Sequence, residues 1–259
     1  MDQRELAGAL PTRLRDLSAS SGTRAVVLAG GRGTRLAPYT TVLPKPLMPL
    51  GDMPILEILL RRLARAGIRD VTLAVGHLAA LLEAYFGDGS RFGVSLDYSY
   101  EDEPAGTAGP LALVEGLDET FLVMNGDLLT TIDFADLLRA HRTRGAAVTV
   151  GLFEKQIALD LGVVEADADG RVTDYVEKPT LTYEVSVGIY AMEPSVLEHI
   201  PRDERLDLPD LVLRLVGAGA DVHAYRFSGT WFDIGRPDDY AAASEHFERH
   251  RRELLADGP

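Results

Sequence analysis

The apolar run Ala25-Val26-Val27-Leu28-Ala29 ends directly on Gly30-Gly31, and no other stretch constrains the fold as much. An apolar run without polar alternation suits a strand buried on both faces, as in a parallel sheet covered by helices. The glycines that follow let the chain turn sharply and aim backbone N–H groups outward. Beyond them, strand-like and helix-like segments alternate. Val71–Val75, Val94–Tyr100, Phe121–Met124 and Ala147–Phe153 read as strands. Pro54–Ala66, Leu78–Phe86, Gly109–Leu117 and Phe134–Arg144 read as helices between them. This alternation predicts an α/β fold with a doubly wound, mostly parallel sheet.

The second half changes character. Gly162–Ala166 and Arg171–Val176 flank the turn Asp167-Ala168-Asp169-Gly170, a hairpin signature. Strands at Val185–Met192 and Val222–Phe227 and helices at Pro209–Val216 and Pro237–Arg249 follow. A hairpin-rich lobe is therefore inserted in the sheet, and no short-period repeat points to a solenoid. Residues 1–23 read as an N-terminal appendage with an amphipathic helix over Glu5–Leu17, residues 24–250 as the main domain and 251–259 as a tail.

Composition narrows the partners. A net charge of -14 disfavours nucleic acid, which needs a basic face. No window is apolar enough for a membrane span or a secretion signal, so a cytoplasmic location and no membrane partner are expected. With no cysteine, thiolate chemistry and disulfides are excluded. Only three of the 26 basic residues are lysines (Lys45, Lys155, Lys178). Where arginine is used so widely, a retained lysine marks a place for a compact point charge.

The loop after the first strand reads Leu28-Ala29-Gly30-Gly31-Arg32-Gly33-Thr34-Arg35-Leu36. Glycines admit a polyphosphate to the backbone, and the arginines offer paired donors. It is neither a Walker loop nor a dinucleotide fingerprint, since no Gly-Lys-Ser/Thr follows and position 36 is leucine. Downstream, Leu43-Pro44-Lys45-Pro46-Leu47 holds a lysine between two prolines, which stiffen the backbone on both sides.

Together, the glycine loop and the Pro-Lys-Pro string resemble the opening of the sugar-1-phosphate nucleotidyltransferase family. The resemblance runs over residues 24 to 245 and implies a Rossmann-like sheet with a sugar-binding lobe. It implies attack of a sugar 1-phosphate on the α-phosphorus of a nucleoside triphosphate, with pyrophosphate leaving. Met124-Asn125-Gly126-Asp127 and Thr230-Trp231-Phe232-Asp233-Ile234-Gly235 look like the segments that supply two magnesium-binding aspartates, Asp127 and Asp233. Arg35 and Lys45 would brace the triphosphate, making Arg35, Lys45 and Asp127 the catalytic set. Leu28, Ala29, Gly30, Gly31, Gly33, Thr34, Arg35, Glu101, Gly106 and Thr107 would bind nucleotide. Val176-Glu177-Lys178-Pro179 looks like the sugar-phosphate clamp, with Gly126, Gly162, Glu177, Lys178 and Ser186 as its contacts. Each residue also has a plainer reading. Asp127 and Asp233 can cap turns, Lys178 can be solvated, Glu177 can pair with an arginine, and Glu101-Asp102-Glu103 can be a surface charge run.

Since the nucleophile is already an anion, no general base is demanded, and none of the six histidines falls in a motif. The Glu-Pro-Ala-Gly-Thr-Ala-Gly-Pro-Leu stretch from Glu103 looks most like that of mannose-1-phosphate guanylyltransferases. Chemistry agrees: guanine presents two adjacent donors that the Glu101 carboxylate can accept side by side. GTP and mannose 1-phosphate are therefore the expected pair. Thymidylyl or uridylyl transfer to glucose 1-phosphate and guanylyl transfer to a heptose or cyclitol phosphate stay open. Ser186 stands where the family's asparagine is usual, and Ala37 replaces its second arginine, which weakens the sugar assignment. Three rivals remain: a non-catalytic regulatory paralogue, a dinucleotide oxidoreductase, and a glycosyltransferase using Asp167-Ala168-Asp169. A homo-oligomer through the appendage is also open.

Overall fold

The computed structural model describes residues 22–202 and 204–255, so the helix expected over Glu5–Leu17 lies outside the described residues. Strand β1 (Arg24–Leu28) leads into the glycine loop, and β2 (Pro49–Leu50) and β3 (Met53–Pro54) form a short hairpin before helix α1 (Ile55–Arg65). The chain continues through β4 (Asp70–Val75), α2 (Ala79–Phe86), β5 (Ser95–Tyr100), β6 (Phe121–Asn125), β7 (Leu128–Thr130) and α3 (Phe134–Arg144). Its second half holds β8 (Val148–Ala158), β9 (Val163–Ala166), β10 (Val172–Val176) and β11 (Thr180–Met192). It closes with α4 (Leu208–Gly217), β12 (Val222–Phe227), β13 (Trp231–Asp233) and α5 (Pro237–Leu254).

Seven strands form the main sheet in the order β12-β8-β11-β6-β1-β4-β5. β1 runs parallel to β4 and β6, β4 parallel to β5, and β12 parallel to β8. Only β11 opposes its neighbours β6 and β8 within this sheet. The mostly parallel, doubly wound sheet expected from the alternation is thus present. From β1 the chain moves to β4 and β5 on one side and then returns to β6 on the other. That reversal makes a topological switch at the C-terminal ends of β1 and β6, where open α/β sheets bind ligands.

The apolar run of β1 serves both faces. Ala25 and Val27 join a cluster with Leu59, Leu60 and Leu63 of α1 and Leu137 and Leu138 of α3. Val26 faces the other way, into a cluster with Leu211 and Leu215 of α4. A third cluster matters most for the site. Ala243 and Phe247 of α5 pack with Leu36, Met48, Leu50, Ile55 and Ile234. Full burial of Leu36 contributes roughly 2 kcal/mol and ties down the turn that carries Arg35.

Several boundaries differ from expectation: β8 runs past Phe153 to Ala158, and β11 begins before Val185, at Thr180. Gly109–Leu117 was expected to be an α-helix and is a 3-10 turn over Gly109–Leu113, because Val114 turns extended and Gly116 takes φ 73°. The last helix breaks just after Arg249, as expected, where His250 leaves helical geometry at φ -119°, and a further helical segment beyond this kink runs to Leu254. Among the described residues no helix is long and apolar enough to cross a membrane.

Candidate active site

Parallel strands ending at one edge bring their following loops together there. Leu28 of β1 lies beside Ala74 of β4 and Asn125 of β6, and Val75 lies beside Tyr100 of β5. The residues just after these ends line a cleft of about 770 Å³. Its wall takes in Leu28 to Arg35, Lys45, Glu101, Gly106, Thr107, Asp127 and Asp233. Every nucleotide, catalytic and metal position expected from the sequence therefore borders one space.

Asp127 and Asp233, far apart in sequence, are joined by local pairing. Strands β7 and β13 form an antiparallel ladder that sets Asp233 opposite Leu128. The Ile234 N–H donates to the Asp127 carbonyl at 3.2 Å. On the other side, the Gly126 N–H donates to the Leu28 carbonyl at 2.9 Å, holding the start of this turn against β1.

Lys45 opens a 3-10 turn whose first residues are fixed by Pro44 and Pro46. Its ammonium donates to Oδ2 of Asp127 and lies 3.9 Å from Oδ1 of Asp233. Arg35 sits in the adjoining turn over Thr34–Leu36, with its guanidinium plane against Gly235 beside Asp233. Burial, and then the charge of Asp127, push the Asp233 carboxyl above its ordinary range, while Lys45 and Arg35 pull it back. Two carboxylates and two cations thus balance one another in a partly dry space.

Among the described residues no group of three or more His, Asp or Glu side chains is disposed to hold a metal. The residues present nevertheless fit a hard divalent cation. Oδ1 of Asp127 is a buried carboxylate oxygen without a hydrogen-bond partner, which is costly unless a cation meets it. Asp233 supplies a second carboxylate beside it. A magnesium ion takes few protein ligands and completes its shell with phosphate oxygens and water.

Glu101 follows β5, its N–H bonded to the Val75 carbonyl at 3.0 Å. Its carboxylate reaches across the top of β4 to Gly30, so close that a β-carbon there would lie 2.6 Å from Oε1. Oε2 accepts the Ala105 N–H at 3.1 Å, which folds the following loop back over the glutamate. Burial raises the Glu101 pKa, and the Ala105 hydrogen bond offsets this in part. Glu101 is thus no member of a solvated charge run, unlike the exposed Asp102 and Glu103.

The sugar-phosphate positions behave differently. Gly126, Gly162, Glu177, Lys178 and Ser186 are absent from the cleft wall. Gly162, Tyr175 and Glu177 cluster with one another on the β9–β10 side, where the Tyr175 hydroxyl donates to Glu177 at 3.2 Å. The Ser186 hydroxyl pairs with that of Tyr190 at 3.2 Å. Lys178 holds φ 47°, a left-handed conformation that a non-glycine residue keeps only at some cost.

Several wall residues escaped the sequence reading: Gly76 and His77, Asn125, and Arg205 with Asp207. Gly76 and His77 directly follow the β4 strand, so the rule that ligands gather at C-terminal strand ends could have found them. Arg205 and Asp207 carry no such signal.

A doubly wound sheet with a glycine loop, cations and paired carboxylates at its switch point defines a phosphate-handling enzyme fold. The comparisons narrow this class. A family model described as Nucleotidyl transferase matches residues 24–250, and the chain belongs to that family. A UTP--glucose-1-phosphate uridylyltransferase from Synechocystis is 35% identical over 84% of this chain and 61% of that protein. A mannose-1-phosphate guanylyltransferase from Mycobacterium tuberculosis is 37% identical over 87% of this chain and 64% of that protein. The chain therefore spans a little over three fifths of the length of these curated relatives. Among solved structures, one from Bacillus anthracis, assigned as a glucose-1-phosphate thymidylyltransferase, superposes with TM-score 0.71 at 25% identity, covering 87% of this chain and 95% of that one. HddC from Yersinia pseudotuberculosis, complexed with GMP-PN, gives TM-score 0.67 at 25% identity over 87% of this chain and 99% of that one.

Proposed function

We propose that this protein transfers a nucleoside monophosphate from a nucleoside triphosphate to a sugar 1-phosphate and releases pyrophosphate, with GTP and mannose 1-phosphate as the preferred pair. The single observation that carries this reading is the shared cleft of Arg35, Lys45, Asp127 and Asp233 beside the glycine loop. In the reaction, a phosphate oxygen of the sugar 1-phosphate forms a bond to the α-phosphorus. The bond from that phosphorus to the bridging oxygen of the β-phosphate breaks, and pyrophosphate departs with the electron pair. No proton has to be removed from the nucleophile. What the step requires is alignment and neutralisation of crowded negative charge.

The residues divide this work. Backbone N–H groups of the Gly30–Thr34 loop and the Arg35 guanidinium hold the β- and γ-phosphates. Lys45, shared between two carboxylates, meets the charge that develops at the α-phosphate. Asp127 and Asp233 would hold the magnesium ion, which when bound supplies further neutralisation on the phosphate oxygens. Glu177 and Lys178 on the lobe would receive the sugar phosphate.

Guanine is favoured because Glu101 is an acceptor-only group at the cleft wall, suited to the adjacent N1–H and 2-amino donors. The M. tuberculosis relative, named a mannose-1-phosphate guanylyltransferase, and the GMP-PN complex of HddC support the same base. The Synechocystis and B. anthracis proteins favour a second reading, uridylyl or thymidylyl transfer to glucose 1-phosphate. A panel of five triphosphates against several sugar 1-phosphates, read by magnesium-dependent pyrophosphate release, separates the two. The highest kcat/KM is expected for GTP with mannose 1-phosphate. Preference for UTP or dTTP with glucose 1-phosphate overturns the guanylyl reading. No release from any pair, with a nucleotide sugar still bound, replaces the enzyme reading with a regulatory one.

A further inference from the structure

The loop proposed to read the base takes much of its support from a distant segment of the chain. Gly106 takes φ 87°, and a β-carbon on it would collide with the Leu206 carbonyl oxygen, so this loop is packed directly on residues 205–208. Backbone hydrogen bonds lace the two together. Leu206 N–H donates to the Ala105 carbonyl at 2.9 Å, and the Leu206 carbonyl accepts Ala108 N–H at 2.9 Å and Gly109 N–H at 3.2 Å.

The side chains complete the clasp in an unusual way. Asp207 stands at the N-cap of α4, where its carboxylate would ordinarily accept an N–H of its own helix. It makes no such bond. Oδ1 instead accepts the Thr107 N–H at 3.0 Å and lies 3.4 Å from the Thr107 hydroxyl. That hydroxyl accepts the Leu208 N–H at 2.7 Å, the first N–H of α4. Asp207 and Thr107 thus each accept a backbone N–H from the other's segment. The other oxygen, Oδ2, meets the exposed Arg205 guanidinium at 3.3 Å, and both Arg205 and Asp207 border the cleft.

We propose that Asp207 is a positioning residue for nucleotide recognition, holding the Glu101–Thr107 loop in its base-reading shape from the N-terminus of α4. This rests on the proposed nucleotidyl transfer. Through Thr107, and through the Leu206–Ala105–Glu101 chain of hydrogen bonds, the segment 205–208 also sets where the Glu101 carboxylate sits. A carbonyl oxygen at position 207 can do the same work, because Thr107 is the donor. A methyl group cannot.

The test compares Asp207→Ala with Asp207→Asn in the full chain. Asp207→Ala is expected to raise KM for the preferred triphosphate about tenfold, the usual scale for losing a hydrogen bond to a charged group, with KM for the sugar 1-phosphate and kcat within about threefold. Asp207→Asn is expected to restore the nucleotide KM to within about threefold of wild type. Hydrogen exchange supplies a readout independent of turnover. The amides of residues 106–109 should exchange faster in Asp207→Ala than in wild type or Asp207→Asn, while the interior of α4 stays protected. Equal rises in both KM values, a change in kcat alone, or unchanged exchange at 106–109 each overturn the proposal. If Asp207→Ala fails to fold, Asp207→Ser, which keeps a helix-capping residue but is too short to reach the Thr107 N–H, takes its place with the same expected split. A wild-type protein that turns over no pair would sink the enzymatic reading alone, and the exchange data would still decide whether Asp207 clasps the loop.

Discussion

Strands β1, β4 and β6 bury Val27, Leu73 and Met124 completely, whereas Leu161, Val172 and Tyr175 around the β9–β10 hairpin are between 60% and 76% exposed. The same contrast runs along single strands. β8 is buried where it lies in the sheet beside β12 and exposed over its outer half, and β11 follows it. Lys45 and Asp127 of the cleft stand on the buried part, with Asp233 half-buried and Arg35 exposed at its rim. Gly162, Glu177 and Lys178 stand on the exposed part. Residues set by a close-packed core have little freedom to shift, which suits groups that must meet a developing charge. Residues set by a few surface hydrogen bonds can adapt to a substrate at small cost. The two regions should therefore fail differently when altered.

The largest effect is expected on the buried side. Asp127→Asn keeps the shape of the side chain but removes the charge that Lys45 and a bound cation would share. Its kcat should fall roughly 10³-fold, near 4 kcal/mol of barrier, as for loss of a preorganised electrostatic group. Steady-state pyrophosphate release at saturating magnesium measures this, and thermal unfolding should remain close to wild type. A loss under tenfold would break the comparison, because the best-anchored carboxylate of the cleft would then stand apart from the chemistry.

An intermediate effect is expected on the lobe. Lys178→Ala should raise KM for the sugar 1-phosphate about tenfold, with kcat and the triphosphate KM little changed, as for one lost charge-assisted contact. Because the β9–β10 lobe adds little to the core, stability should move by no more than about 0.5 kcal/mol. Should urea titration show a larger loss, the lobe is a structural part of the domain and its left-handed Lys178 a packing feature.

What was legible in the sequence divides along the same line. The Ala25–Ala29 run, the glycine loop and the Pro44-Lys45-Pro46 string each carry their chemistry locally, so their meeting in one cleft could be anticipated. The device that joins Asp127 to Asp233 could not. Strands β7 and β13 are three residues long, too short for a period-two pattern to register. The helix expected from Pro209 begins at Leu208 with Asp207 as its N-cap, but nothing local says that the Asp207 carboxylate turns to Thr107. Gly109–Leu117 failed for the opposite reason. Its apolar residues suit a helix, yet Gly116 at positive φ and packing against the 205–208 segment stop it after one turn.

The smallest effect concerns Glu101, which stands between the two regions, on the end of a core strand but at the open side of the cleft. Its burial disfavours the ionised form, so it takes up a proton at a higher pH than the ordinary glutamate value of about 4.3. A protonated carboxyl loses one of the two acceptors that adjacent guanine donors require. Relative to KM for the other triphosphates, whose phosphates titrate alike, KM for GTP should therefore rise a few-fold as pH falls toward this elevated value. Unfolding cannot imitate the result through this group. A carboxyl whose pKa is raised in the fold costs stability when ionised, so its protonation on acidification favours the folded state. Glu101→Gln carries an amide that does not titrate and offers one donor and one acceptor. It should abolish the acid rise and shift preference toward UTP or dTTP. If the acid rise survives in Glu101→Gln, another group on the cleft wall reads the base, and the boundary between the rigid and adaptable regions lies further into the sheet than Glu101.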